Sequence, residues 1–281
     1  MLLLVDLDGV IYRGTATVPG VPSVLAARAA AGDDVVYVTN NAMTYSADYV
    51  PRLAGHGAPV GPDRVVTSAR AAAAWIHDHL PTVRRVLAVG ASGLDRELRE
   101  AGFDVVSVGH AATRMHEEKI DGWAAAGHPD AVVVGLDPQM SYLRVAVAAD
   151  CIRAGAAFVA TNRDPVYPTP RGFQPGAGSV VAAVATAARQ EPQMVMGKPG
   201  PYLLEAGARL VGADVRKAVM IGDALTDVAA GRAVGARTIL MLTGVTTRAM
   251  ADQVPADQAP TRIAADAAEL EVALRELAAG S

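Results

Sequence analysis

The sequence predicts an α/β protein built on a doubly wound parallel sheet, with a second α/β unit inserted into it. Three observations carry this. Short apolar runs without polar alternation recur along the chain, as in strands buried on both faces. Each is followed by a stretch of helical composition, and strands alternating with helices give right-handed βαβ units and parallel pairing. The same rhythm continues through the middle of the chain, between about residues 80 and 178, before the earlier pattern resumes. Residues 1–80 and 179–281 are therefore expected to share one domain, and 81–178 to form another. With 281 residues the chain can bury a substantial core in either.

Leu2-Leu3-Leu4-Val5 is the first strand, and it stops at Asp6-Leu7-Asp8-Gly9. Alternating side chains bring Asp6 and Asp8 out on one side where the strand ends, and Gly9 keeps bulk away from them. Helical composition follows over 21–31. Strand 34–38 stops at Thr39-Asn40-Asn41. Ser46 is a good N-cap for a helix to about Gly55, which Pro51 should kink. Strand 65–66 leads to an Ala-rich helix capped by Ser68 and stopped by Pro81. The middle region reads as strand 85–89, helix 92–101 capped by Ser92, strand 104–108, helix 117–126, strand 131–134, helix 141–154 and strand 156–160. Residues 161–178 hold four prolines and three glycines and read as a loop. A helix then runs from Ser179 to about Arg189, and strand 194–196 meets Gly197-Lys198-Pro199. Helix to Leu210, strand 218–221 meeting Gly222-Asp223, helix to Val234, strand 237–242 and helix 265–278 complete the chain.

Composition narrows the partners. Net charge is −4 without acidic or basic blocks, which argues against a nucleic-acid surface. The single Cys151 excludes an internal disulfide and a cysteine-rich metal site. No apolar run approaches a membrane span, and the N-terminal leucines are too few for a signal peptide, so a cytoplasmic protein is expected. Lysine occurs only at 119, 198 and 217 among many arginines. A retained lysine in an unusual setting, as at 198, suits a compact point charge.

In open parallel sheets, ligands bind beyond the carboxyl ends of the strands. Asp6/Asp8, Thr39/Asn40, Lys198 and Asp223/Asp227 all fall at expected strand ends. They supply carboxylates, a hydroxyl, an amide and one cation to what is read as a single sheet edge.

Asp6-Leu7-Asp8-Gly9-Val10, Val38-Thr39-Asn40-Asn41, Gly197-Lys198-Pro199 and Gly222-Asp223-x-x-x-Asp227 together resemble the four motifs of the haloacid-dehalogenase superfamily. The Asp6–Gly14 start, Val66-Thr67-Ser68-Ala69, Ala160-Thr161-Asn162-x-Asp164, Pro175-Gly176-Ala177-Gly178-Ser179 and Leu242-Thr243-Gly244-Val245 are similar to its NagD-like, class IIA phosphatases, relatives of the 4-nitrophenylphosphatases. The resemblance implies a Rossmann-like core with a C2-type cap inserted between the second and third motifs. It implies Asp6 as nucleophile, Asp8 as general acid and base, and Mg²⁺ held by Asp6, the Asp8 carbonyl and Asp223. Gly9, Thr39, Asn40, Asn41 and Lys198 would hold the phosphoryl group of a small phosphorylated metabolite. The last motif is one residue short, so the register of Asp227 is open. Arg163 and Arg171 in the 161–178 loop could face substrate or anchor the cap. The resemblance also admits a homodimer through the cap. A phospho-accepting receiver module and a metal-independent dehalogenase are the competing readings; the second carboxylate of Asp6-x-Asp8 argues against the latter.

Overall fold

The computed structural model describes residues 1–61, 63–169 and 172–279. By contacts the chain forms two compact units. One comprises Met1–Thr39, Ala47–Val66 and Lys198–Ser281; the other comprises Asn40–Ser46 and Thr67–Gly197.

The first unit carries a six-stranded sheet in the order Arg262–Ala264, Arg237–Met241, Val219–Gly222, Leu2–Val5, Asp34–Thr39, Val65–Thr67. The pairings between Leu2–Val5 and its two neighbours are parallel, with Val5 level with Ile221 on one side and Tyr37 on the other. Alternation along Leu2–Val5 decides its packing. Leu3 and Val5 join Tyr37, Ile221, Val21, Leu25 and Leu274 in one apolar layer with helices Val21–Ala30 and Ala267–Ala279. Leu4 faces the other way, against helix Tyr202–Leu210 at Gly207, where Val36 and Val38 also lie. Both faces are covered, which is why the strand reads as an unbroken apolar run.

The second unit has its own five-stranded sheet, ordered Met194–Val195, Ala157–Ala160, Ala131–Val134, Arg85–Val89, Asp104–Ser107 and parallel throughout. Phe158, Leu87, Val132 and Val134 anchor its core with Val147 and Ile152 of helix Tyr142–Arg153.

Several local expectations are corrected. Strand Met194–Val195 and helix Ala177–Ala188, read as part of the first sheet's domain, belong to the second unit: the strand pairs with Ala157–Ala160, and the helix packs on Tyr142–Arg153. Residues 161–178 are not merely a loop, since Val166–Thr169 and Gly172–Pro175 form an antiparallel hairpin. Helix Ser68–His79 is capped by Thr67, whose hydroxyl accepts from the Arg70 N–H at 3.0 Å, and not by Ser68. Ser92 is the first residue of its helix and Ala91 its N-cap. The helix expected over 117–126 begins earlier, as Val108–Glu118, because the Ser107 hydroxyl accepts from the His110 N–H; the short helix Gly122–Ala125 follows. Pro51 kinks nothing, because a 3₁₀ turn over Ser46–Asp48 precedes the α-helix Tyr49–Gly55 and leaves Pro51 in its first turn.

Leu4→Ala removes a fully buried side chain between sheet and helix. It should lower stability by about 3 kcal/mol, read as a lower urea midpoint for the first unit.

Candidate active site

The site is built from three segments of the first unit's central strands and one arriving chain. Asp6 directly follows Leu2–Val5, and its N–H bonds to the Ile221 carbonyl at 2.9 Å. That register sets Asp6 beside Gly222-Asp223 on one side and the end of Asp34–Thr39 on the other. Thr39, buried, is the last residue of that strand. Lys198 inserts its ammonium between them. Its Nζ lies 2.5 Å from Asp6 Oδ1, 2.5 Å from Asp227 Oδ1 and 3.5 Å from the Val38 carbonyl. The expectation that Lys198 ends a strand of this same sheet is overturned. It follows Met194–Val195, the edge strand of the other sheet, and reaches the site as the chain re-enters the first unit.

Asp227 falls in the first turn of helix Leu225–Ala233, and its Oδ2 accepts the Ala224 N–H at 3.0 Å. The shortened motif thus still turns this carboxylate toward Lys198. Asp223 Oδ2 accepts the Val245 N–H at 2.6 Å. Two glycines let Asp223 sit there. Gly9 has φ +79°, and a Cβ on it or on Gly244 would collide with the Asp223 carboxylate. The Thr243 hydroxyl donates to the Gly9 carbonyl at 2.6 Å and closes the two loops on each other. Thr243 and Gly244 belong to the sequence motifs, but nothing in their residue types shows that they shape the seat of Asp223. That depends on which loops meet.

Asp6, Asp223 and Asp227 each offer an oxygen within 4.8 Å of the others, and all three are buried. One ammonium against three carboxylates leaves the cluster short of positive charge. Burial drives the Asp6 pKa well above the carboxylate range; Lys198 pulls against this, and the neighbouring Asp227 and Asp223 add to the rise. Burial, then repulsion from Asp227, brings Asp223 up to about 6 despite the Val245 N–H. Burial disfavours the charged Lys198, but Asp227 and Asp6 outweigh it and hold its pKa above the ordinary lysine value. A hard divalent cation fits this donor set: all oxygen, buried, and carrying uncompensated negative charge.

Asp8 keeps solvent access, yet surrounding protein raises its carboxyl pKa, while Arg52 and Lys198 pull it down. The Arg52 guanidinium also stacks 3.8 Å over the Tyr12 ring and donates to the Gly14 carbonyl at 3.0 Å. Arg52 carried no signal in the sequence for a place beside Asp8, and Tyr12 lay within the Asp6–Gly14 motif without a role assigned to it. Asn40 and Asn41 group with the second unit, where the Asn40 amide donates to Asp164 at 3.0 Å and Asn41 Oδ1 accepts the Met43 N–H at 2.8 Å. Arg163 makes an exposed ion pair with Glu191 of its own unit. Arg171 lies outside the described residues. No helix among the described residues is long and apolar enough to cross a membrane.

With Asp223 near 6 and an ordinary value of 3.8, the folded chain binds the extra proton between those limits. Keeping Asp223 ionised in the folded chain therefore costs about 3 kcal/mol above pH 6, relieved as pH falls toward 4. Metal-free protein should melt higher at pH 5 than at pH 7.5, and Mg²⁺ should raise the melting temperature more at pH 7.5. Calorimetry at both pH values, with and without the ion, checks this.

Comparison with known proteins agrees with the geometry. Residues 3–104 match the haloacid dehalogenase-like hydrolase family, and residues 195–270 match a second, HAD-hydrolase-like family. An acid sugar phosphatase of Staphylococcus aureus is 34% identical over 245 residues, 87% of each chain. A p-nitrophenyl phosphatase from Archaeoglobus fulgidus superposes with TM-score 0.83 at 28% identity, over 97% of this chain and 98% of that one. The glycerol phosphate phosphatase of Mycobacterium tuberculosis, solved in complex with magnesium, gives TM-score 0.82 at 34% identity, over 96% of this chain and 76% of that one. The chain belongs to the haloacid dehalogenase-like hydrolases, in their NagD-like class IIA branch, and is a phosphoric monoester hydrolase.

Proposed function

We propose that this enzyme is an Mg²⁺-dependent phosphatase of small phosphorylated metabolites that works through an aspartyl-phosphate on Asp6. The observation that carries the reading is Asp6 held 2.5 Å from the buried Lys198 ammonium, in a cluster with Asp223 and Asp227. Lys198 pulls against the burial and the neighbouring carboxylates that raise the Asp6 pKa, and a bound divalent cation would add to that pull toward the ionised form, the form able to attack phosphorus.

In the first half, an Asp6 oxygen forms a bond to phosphorus as the bond to the leaving alcohol breaks. Asp8 gives its proton to that alcohol; its raised pKa and solvent access suit a general acid. In the second half, Asp8 takes a proton from water as the water oxygen attacks phosphorus. Inorganic phosphate leaves and Asp6 is restored. Thr39, the backbone following it at Asn40 and Asn41, and Gly9 are assigned to the phosphoryl oxygens, with Lys198 offsetting their charge. Asp6 and Asp223, with the Asp8 carbonyl, would hold the ion, and Asp227 would orient Lys198 and the ion's surroundings. When bound, a divalent cation supplies charge compensation and fixes the phosphate against Asp6. The second unit, expected as residues 81–178 and compact over Asn40–Ser46 and Thr67–Gly197, is assigned the part of the cap.

The relatives' names, acid sugar phosphatase and glycerol phosphate phosphatase, direct the substrate search to phosphates of small polyols and sugars. Phosphate release across such a panel with Mg²⁺ tests the reading. Turnover should vanish with a chelator and return with the ion. Asp6→Asn should lower kcat by about a thousandfold or more with the fold retained, and near-normal turnover would end the proposal. Asp8→Ala should slow alkyl phosphates far more than 4-nitrophenyl phosphate, whose leaving group needs no proton.

A further inference from the structure

The residue after Thr39 and the residue before Lys198 are tied into one network, all of it within the second unit. The Asn40 carbonyl accepts from the Ser68 hydroxyl at 2.6 Å and from the Asn162 amide at 2.7 Å. The Asn40 side-chain amide donates to Asp164 Oδ2 at 3.0 Å, and the Asp164 N–H donates to Asn162 Oδ1 at 3.0 Å. Gly197 donates its N–H to the Thr161 carbonyl at 2.7 Å, and any Cβ there would collide with Asn40 Oδ1 and Asn162. Asn40 is thus held at both its backbone carbonyl and its side chain.

The segment that follows is held just as firmly. In the five-stranded sheet, strand order reverses between Arg85–Val89 and Ala131–Val134, and such a crevice ordinarily receives a ligand. Here the chain's own residues 42–46 reach it. The Met43 carbonyl accepts the Gly93 N–H at 3.0 Å, in the first turn of helix Ser92–Glu100. The Ser46 N–H donates to the buried Glu97 carboxylate at 2.7 Å, which also accepts from the Thr67 hydroxyl at 3.2 Å. Ala42 lies beside Gly135, just past Ala131–Val134.

A hydrogen-bonded asparagine alone would be ordinary packing. This one is the covalent neighbour of Thr39, and its peptide N–H is assigned to the phosphoryl group. We propose that Asp164, acting through Asn40, is a positioning residue that fixes the Thr39–Asn40 peptide for phosphate binding, with Asn162 and Ser68 as its supports. The inference rests on the phosphatase reading above. Its physical basis is orientation: a donor misplaced by about 1 Å can cost a transferring phosphoryl group on the order of a hundredfold in rate.

The test compares Asp164→Ala with Asp164→Asn, which keeps an oxygen acceptor for the Asn40 amide. Competitive inhibition by inorganic phosphate and kcat/KM for 4-nitrophenyl phosphate are measured with Mg²⁺, alongside melting temperature. Asp164→Ala should weaken phosphate inhibition and kcat/KM by about tenfold each, and Asp164→Asn should restore both to within about threefold of wild type. A merely structural aspartate would shift the melting temperature and leave the phosphate inhibition constant of the folded fraction unchanged, which overturns the inference. Equal damage from both variants also overturns it. Should Asp164→Ala fail to fold, Ser68→Ala supplies the second probe, and unaltered phosphate inhibition in that variant is equally fatal. A wild-type chain without turnover of any phosphate ester sinks the phosphatase reading and this inference with it. An active wild type with an indifferent Asp164→Ala sinks the inference alone.

Discussion

The contact on which the site depends is the Lys198 ammonium wedged between Asp6 and Asp227. Burying several charges together is expensive, and an ion pair hidden from water seldom stabilises a fold by itself. The cluster persists because each carboxylate has a further fixed partner, Asp227 at the Ala224 N–H and Asp223 at the Val245 N–H. The remaining imbalance, three acids against one base, makes the pocket receptive to a cation, which together with Lys198 would offset the charge of an incoming phosphoryl group. The same electrostatic shortfall that strains the fold equips it for chemistry.

The scaffold answers to that requirement. A parallel sheet brings Asp6, Thr39 and Asp223 to the carboxyl ends of three adjacent strands without demanding anything of the sequence between them. Close approach at Gly9 and Gly244 then seats Asp223 where a side chain would have excluded it. The ammonium comes from elsewhere in the chain: Lys198 follows Gly197 and Thr39 precedes Asn40, the two residues that the second unit's network holds.

The apolar runs, the strand-helix rhythm and the site motifs were legible because each is a local pattern: burial on two faces writes an unbroken run such as Leu2–Val5, and a carboxylate or glycine announces where the strand stops. Caps were less legible. Thr67 and Ser68 are adjacent and chemically alike, and only the position of Asn40 explains why Thr67 caps the helix while the Ser68 hydroxyl turns to the Asn40 carbonyl. Pro51 reads as a kink until the 3₁₀ turn ahead of it is known. The hairpin at Val166–Thr169 and Gly172–Pro175 hid behind prolines, which sit comfortably in short two-stranded ribbons.

Local pattern was enough for the fold class and for the residue types that meet around Lys198, since these follow from periodicity and from chemistry carried by individual side chains. Tertiary structure alone decided that Met194–Val195 serves the second sheet, so that Lys198 enters from an edge strand outside the first. It alone decided that Asp227, one residue early, still faces that lysine. Both outcomes depend on which distant strands pair and where a helix begins, and no pattern within a few residues of either position records that choice.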